Sequence, residues 1–459
     1  MIKFEKLPYL FRSALAAGLG IRLSAGRYGV EFSRFYAFLN DSKNYSPEEQ
    51  ANWQRLELIR LVKSAASGTQ FYQNLQLEEN GDLKSILQQL PILEKETLRN
   101  SVPQFFNENV KKWLVSSTSG TSGSPMKVEH CKSSMQRRFA LLKQHLEISG
   151  VGRNSPSVRL SGRILCDPSK NSKKPWLLIP TENQLLLSTY HLNSAHAKVI
   201  AKKLISFKPE VMDGYSSGIL EALRLLASVG VKLESLKVII TTAETMSPAV
   251  REELEELSGA KILDYYSASE GVPIIQQCRF GCYHVRWESG VFEVLKNNKI
   301  NAEGSGELLI TSFIQDRTPL IRYRTGDYVD GLDTHNQASC KCGLKTPTIK
   351  GIEGRIEDMV FVKGGGRLGM FTYRTIKEVS GLEEAQVIQK DYDRFKVIAV
   401  LKGGVDIDSV RLAIKDKFER ALGYSISLDF ESTDKIKKGA NGKSRLLINE
   451  MSIKLEEKV

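Results

Sequence analysis

The chain has 459 residues, with 65 Lys+Arg against 53 Asp+Glu, a formal net charge of +12. A hydrophobic fraction of 41% and a charged fraction of 26% are those of a globular chain with a core, about three structural units for this length. They exclude wholesale disorder, a collagen or coiled-coil rod and a small disulfide scaffold. Basic and acidic residues alternate, so the charge favours anionic partners in general and no specific nucleic acid.

Residues 14–19 are apolar and follow Lys3, Lys6 and Arg12. Arg12 and Arg22 cut the run short, and no clear cleavage site follows, so the reading is a cytoplasmic protein rather than a secreted one. No run reaches the roughly 18–20 uncharged residues of a membrane-spanning helix. Residues 1–40 hold six basic side chains against two acidic ones, which suits a weak contact with a membrane surface.

Residues 1–110 read as mostly helical. Ser46-Pro47-Glu48-Glu49 is a helix start, with Ser46 as N-cap and Pro47 first in the helix. Leu58, Leu61, Val62 and Ala65 follow at the spacing of one apolar helical stripe. From about residue 113 strands alternate with helices. Residues 237–243 and 262–266 are short strands, each ending in small or polar residues, as in a mostly parallel sheet covered by helices. Residues 292–295 and 307–311 read as antiparallel strands. After Gly364-Gly365-Gly366, residues 375–379, 384–389, 395–401 and 410–420 read as a small α+β unit.

The densest chemical signal is Ser116-Ser117-Thr118-Ser119-Gly120-Thr121-Ser122-Gly123-Ser124-Pro125-Met126-Lys127. Glycines let several N–H groups converge on one anion, and the hydroxyls add donors. It is neither a Walker loop nor a dinucleotide fingerprint. Four further stretches are weak singly: Tyr265-Tyr266-Ser267-Ala268-Ser269-Glu270, Arg322-Tyr323-Arg324-Thr325-Gly326-Asp327, Gly354-Arg355-Ile356-Glu357-Asp358 and Gly439-Ala440-Asn441-Gly442-Lys443. In them an aromatic suits a base, Glu270 a magnesium ion and Asp327 a ribose. Cys278-x3-Cys282-x-His284 and Cys340-x-Cys342 offer thiolates and an imidazole suited to tetrahedral Zn²⁺.

In this order, the five stretches resemble the adenylate-forming superfamily of acyl-CoA synthetases, luciferases and peptide-synthetase adenylation domains. Leu90-Pro91-Ile92-Leu93-Glu94-Lys95 and Pro319-Leu320-Ile321-Arg322-Tyr323-Arg324-Thr325-Gly326-Asp327 are similar to the phenylacetate–CoA ligase group. Glu5-Lys6-Leu7-Pro8-Tyr9-Leu10 and Arg27-Tyr28-Gly29 resemble its branch from capsular-polysaccharide gene clusters. The resemblance implies an α/β fold. A large N-terminal domain over 1–354 would combine mostly parallel covered sheets with a distorted antiparallel barrel-like subdomain. A small mobile α+β domain over 355–459 would turn near Glu357 or Asp358.

The resemblance implies ATP-dependent activation of a carboxylic acid as acyl-adenylate, then transfer to CoA, a carrier-protein thiol or a sugar amine. Thr118, Ser119, Gly120, Thr121, Ser122 and Gly123 would hold phosphates. Ala243, Glu244, Tyr265, Tyr266, Ser267 and Ser269 would line the nucleotide, and Asp327 and Arg355 the ribose. Glu270 would hold Mg²⁺, and Lys443 would bridge acyl carboxylate and α-phosphate. Tyr190 and His191 would line the acyl pocket, and Gly364–Gly366 would approach the acceptor. For structural zinc, the correspondence selects Cys278, His284, Cys340 and Cys342 and leaves Cys282 as an extra. A homodimer is compatible with the relatives. Ser267 replaces a usual glycine, and Met126 sets Lys127 one residue further from Pro125. The rival expectations are an adenylyltransferase that leaves AMP on an acceptor and a silent nucleotide-binding homologue.

Overall fold

The computed structural model describes residues 4–117, 126–167, 172–244, 246, 248–296, 298–334, 340–355, 359–363, 367–368, 375–376, 379–436 and 446–451. Two compact units divide the chain. The first is built mainly from residues up to 325 and from 330–351, and the second mainly from 352–459, with 326–329.

The first unit opens with three helices, α1 (Tyr9–Arg27), α2 (Val30–Asp41) and α3 (Pro47–Gly68). Ser46 caps α3 as expected: its hydroxyl accepts from Glu49 N while the Glu49 carboxylate accepts from Ser46 N. The stripe Leu58, Leu61, Val62 and Ala65 is fully buried. Two short helices follow, α4 (Leu83–Gln88) and α5 (Lys95–Asn100). An antiparallel hairpin, β1 (Lys112–Ser117) with β2 (Lys127–Cys131), then leads into α6 (Lys132–Ile148).

The central layer is a nine-stranded sheet. Its strands are β3 (Ser157–Ser161), β4 (Leu177–Ile179), β5 (Gln184–Ser188), β6 (Val211–Gly214), β7 (Val238–Thr241), β8 (Lys261–Tyr266), β9 (Ile275–Gln277) and β10 (Tyr283–Val285), closed by Thr348–Ile349. The order is Thr348–Ile349, β10, β9, β8, β7, β6, β3, β5, β4. The run β8-β7-β6-β3-β5 is parallel, and the strands flanking it are antiparallel. Helices α7 (Ser194–Phe207), α8 (Ser216–Ala227) and α9 (Pro248–Ser258) supply the crossovers. Their apolar faces meet Val158, Leu160, Met212, Ile239 and Ile262 in one core. The opposite face of the sheet packs on α2 and α6 through Phe32, Phe35, Leu39, Leu141 and Ile240. Both faces are covered, as a parallel run requires.

A second, antiparallel sheet follows. Its strand β11 (Gly290–Lys296) pairs with β12 (Lys299–Asn301) on one side and β13 (Gly304–Ser312) on the other. Next comes β14 (Tyr323–Leu332). The second unit has its own core around Val360, Val387, Phe395, Ile414 and Phe418. Its sheet has the order Ser427–Ser432, Arg394–Leu401, Leu382–Asp391, Leu447–Asn449, and a helix runs over Ile407–Leu422. This α/β architecture matches the expected class. No described helix is long and apolar enough to cross a membrane.

Candidate active site

Strands β7 and β8 are parallel neighbours, with Thr241 opposite Asp264. The turns that follow them therefore leave the same edge of the sheet, where ligands of open α/β folds bind. In the first turn Ala243 has φ +60°, a left-handed conformation strained for any residue with a Cβ. The Glu244 carboxylate accepts from Ser216 Oγ (3.0 Å), Ser217 N (3.0 Å) and Ser217 Oγ (2.9 Å). It thereby caps the start of α8 as a negative charge at a helix N-terminus.

The second turn begins at Tyr266. Strand alternation sends Tyr265 and Tyr266 to opposite faces. Tyr265 is buried in the core that α2 and α6 form with the sheet, its ring 5.8 Å from His145. Tyr266 is half-buried.

Residues 268–271 present four successive carbonyls to four donors of the scaffold. Ala268 O accepts from Arg138 Nη2 (3.4 Å), Ser269 O from Ser116 Oγ (2.7 Å), Glu270 O from Gln315 Nε2 (2.9 Å) and Gly271 O from Ser312 Oγ (2.6 Å). Gly271 is required here. Its φ is +90°, and a Cβ would lie 2.8 Å from Gln315 Nε2.

His130 joins two of these donors. Its Nε2 is 2.6 Å from Ser116 Oγ, and its Nδ1 is 3.0 Å from Gln315 Nε2. Counting protons fixes the tautomer. Ser116 gives its one proton to Ser269 O, so it accepts from His130 Nε2–H. Gln315 then donates one amide proton to Glu270 O and the other to His130 Nδ1. His130 is neutral; burial, with Arg138 nearby, lowers its pKa to about 4. Protonation would turn Nδ1–H against the Gln315 amide protons. Nothing in the sequence pattern singled out His130, Gln315, Ser312 or Arg138.

The hairpin β1–β2 sets Ser117 opposite Lys127. It thus fixes both ends of the Ser/Gly stretch, while Thr118, Ser119, Gly120, Thr121, Ser122 and Gly123 lie outside the described residues. Lys127 is exposed and Met126 buried. Glu129 anchors the hairpin through Lys112 (2.9 Å) and Arg317 (2.8 Å).

Two sequence signatures prove to be physical partners. Leu93 N donates to Arg322 O (2.9 Å), Arg324 N to Leu93 O (3.0 Å) and Lys95 Nζ to Thr325 O (3.2 Å). Arg322, at φ +47°, turns its buried guanidinium onto both oxygens of Glu293 (2.8 and 3.0 Å) and onto Leu90 O (2.9 Å). The Leu90–Lys95 stretch therefore clamps the start of β14. In the second unit Asp327 pairs with Arg355 at 3.7 Å. Glu357, Asp358, Gly364–Gly366 and Lys443 lie outside the described residues.

His191 is buried. Its Nε2 accepts from Leu165 N (3.3 Å) and Cys166 N (3.2 Å), so one edge of the imidazole holds that segment, while Nδ1 is buried without a hydrogen-bond partner. Tyr190 beside it is 48% exposed.

The cysteines gather beside β9 and β10. Ligand atoms of Cys278, Cys282, His284 and Cys340 lie within 4.8 Å of one another, and Cys342 Sγ is 3.2 Å from His284 Nε2. Cys282, an extra by the family correspondence, is thus inside the cluster. His284 Nδ1 meets Thr346 Oγ1 at 2.9 Å, which directs Nε2 at the thiols, as metal-bound imidazoles are held. The hydrogen bond with Cys342 pulls the Cys278 thiol down to about 3, while burial pushes Cys282 up to about 11. This donor set fits a tetrahedral zinc ion.

The fold is similar to that of adenylate-forming CoA ligases. Over 89% of the chain it superposes on 91% of 2-hydroxyisobutyryl-CoA ligase in the postadenylation state, with a TM-score of 0.66 at 15% identity. Residues 365–450 match the CapK C-terminal domain family. Protein CapK of Staphylococcus aureus is 28% identical over 453 residues, covering 97% of this chain and 98% of that protein. The phenylacetate–coenzyme A ligase of Thermus thermophilus is 24% identical over 402 residues, covering 82% and 84%. In sequence the chain is thus similar to Protein CapK and to phenylacetate–coenzyme A ligases over most of its length.

Proposed function

We propose that the chain is an AMP-forming acid–thiol ligase. It activates a carboxylic acid with ATP as acyl-adenylate, releases pyrophosphate, and passes the acyl group to CoA or a comparable thiol or amine. The pinned 268–271 turn carries this reading. Four carbonyls tied to the scaffold hold the turn rigid, so Ser269 and Glu270 meet the nucleotide preorganised. Glu270 would hold Mg²⁺, whose charge offsets that of the phosphates. Tyr266 stacks on the adenine, the strained turn at Ala243 lies along its edge, and Glu244 supports that turn by capping α8. Thr118–Gly123 hold the β- and γ-phosphates, and Asp327, oriented by Arg355, accepts from the ribose hydroxyls.

Lys443 bridges the acid and the α-phosphate as charge develops between them; a compact ammonium on a flexible stem suits that task. The second unit turns about Glu357 or Asp358 between the half-reactions, bringing Gly364–Gly366 to the acceptor. Zn²⁺ would be held by thiolates among Cys278, Cys282, Cys340 and Cys342 with His284. Four protein ligands leave no open position, so its role is to pin two loops. The acid it activates serves capsular polysaccharide synthesis.

Product analysis tests the reaction type. With ATP, Mg²⁺, CoA and a carboxylic acid, free AMP and an acyl-CoA are expected in equal amounts. AMP retained covalently on an acceptor, with no thioester, would instead identify an adenylyltransferase.

A further inference from the structure

Helix α1 is amphipathic the wrong way round. Its inward face carries Arg12, whose Nε donates to Leu7 O (3.1 Å), Ser24, whose hydroxyl donates to Glu182 (2.9 Å), and Arg27, which pairs with Glu182 at 3.2 Å. Small residues let the backbone close on the domain. A Cβ on Gly20 would lie 2.7 Å from Ile179 Cγ2, and one on Gly26 2.5 Å from Trp113 Nε1. The outward half-turns hold Leu10, Phe11, Leu15, Leu19, Ile21 and Arg22, with small residues between them. The five apolar ones are 46–77% exposed. This one helix carries five of the fifteen large exposed hydrophobics among the described residues. Such a face is an attachment surface rather than ordinary scatter.

The charges around it select the occupant. α1 has no acidic residue. Glu182, which meets its inner face, is taken by Ser24, Arg27 and Tyr28. Exposed cations flank the apolar face at both ends. Lys174 lies 4.6 Å from the Tyr9 ring, and Arg22 and Lys132 stand 5.9 and 5.5 Å from the Trp113 ring. α1 itself offers no carboxylate, so a second copy packed helix to helix on it would bring Arg22 towards a helix of the same sign of charge. An anionic bilayer offers both hydrocarbon for Phe11 and Leu15 and phosphate for Arg22, Lys132 and Lys174. The helix is too polar on its inner side to cross a membrane, so it lies along the surface.

We propose that α1 is an interfacial anchor that seats the first unit on an anionic lipid surface. The apolar residues enter the headgroup boundary, and the cations snorkel to the phosphates.

Flotation of the full chain with vesicles of phosphatidylcholine, with and without phosphatidylglycerol, tests this. The expected result is binding to the anionic vesicles that falls roughly tenfold in high salt and roughly tenfold in the double variant Phe11→Ser/Leu15→Ser. Arg22→Glu is expected to weaken it as well. All three positions are exposed, so unchanged thermal unfolding confirms that the variants fold. No binding to either vesicle, or binding undiminished in the variants, overturns the proposal. A dimer by light scattering that the double variant splits, with no flotation, also overturns it and assigns the face to a second copy.

Discussion

The neutral His130 makes a quantitative claim about pH. Its pKa is about 4 in the folded protein, against 6.5 when free. The unfolded chain therefore binds more protons between those values, and stability falls as pH drops from 6.5 to 4. Above 6.5 the penalty is absent; below 4 it is constant at about 3 kcal/mol, since each tenfold loss of proton affinity on folding costs about 1.4 kcal/mol. At pH 5 the same arithmetic gives about 2 kcal/mol. His130→Gln removes the titration but keeps one amide donor for Ser116 and one acceptor for Gln315. Urea unfolding of both proteins at pH 8 and pH 5 is the assay. The wild type is expected to lose about 2 kcal/mol more than the variant over that interval. Identical pH dependence in the two proteins would refute both the tautomer assignment and the burial argument.

Three further outcomes follow from the same geometry. Ala243→Gly relieves a φ of +60° and is expected to raise stability by up to about 1 kcal/mol, read as an increase in Tm. Gly271→Ala places a methyl group 2.8 Å from Gln315 Nε2 at a φ of +90°, so it should cost about 2 kcal/mol or more and abolish pyrophosphate exchange. A stable, active Gly271→Ala protein would show that the turn tolerates another conformation. Elemental analysis should find one zinc per chain, and chelation should lower Tm without altering the pH profile of any activity.

The sequence was legible where chemistry is local. The α3 capping box needs only Ser46, Pro47 and Glu49, and the apolar stripe behind it needs only helical spacing. The pairing of β7 with β8 was legible as alternating strands and helices, although its register was not. The hidden parts are those made by long-range closure. His130, Gln315 and Ser116 meet Glu270 and Ser269 through contacts that span up to 185 residues of chain, and the polar side chains of His130 and Gln315 stand in no motif. Tyr265 and Tyr266 look equivalent in the chain, but strand alternation buries one and leaves the other half-buried. His191 beside Tyr190 gives no hint in the chain that its Nε2 meets the backbone of 165–166. The spacing Cys278-x3-Cys282-x-His284 announced a cluster but not its membership, because five donors converge where four suffice.

The central claim is that a carboxylic acid attacks ATP in a site organised by Glu270 and Lys443. Acid-dependent exchange of labelled pyrophosphate into ATP measures that step alone, without an acceptor. A panel of aryl, fatty, amino and hydroxy acids should reveal exchange that depends on one class, and Glu270→Ala and Lys443→Ala should each abolish it. Exchange that persists undiminished in both variants, or none with any acid while ATP binds, would contradict the account.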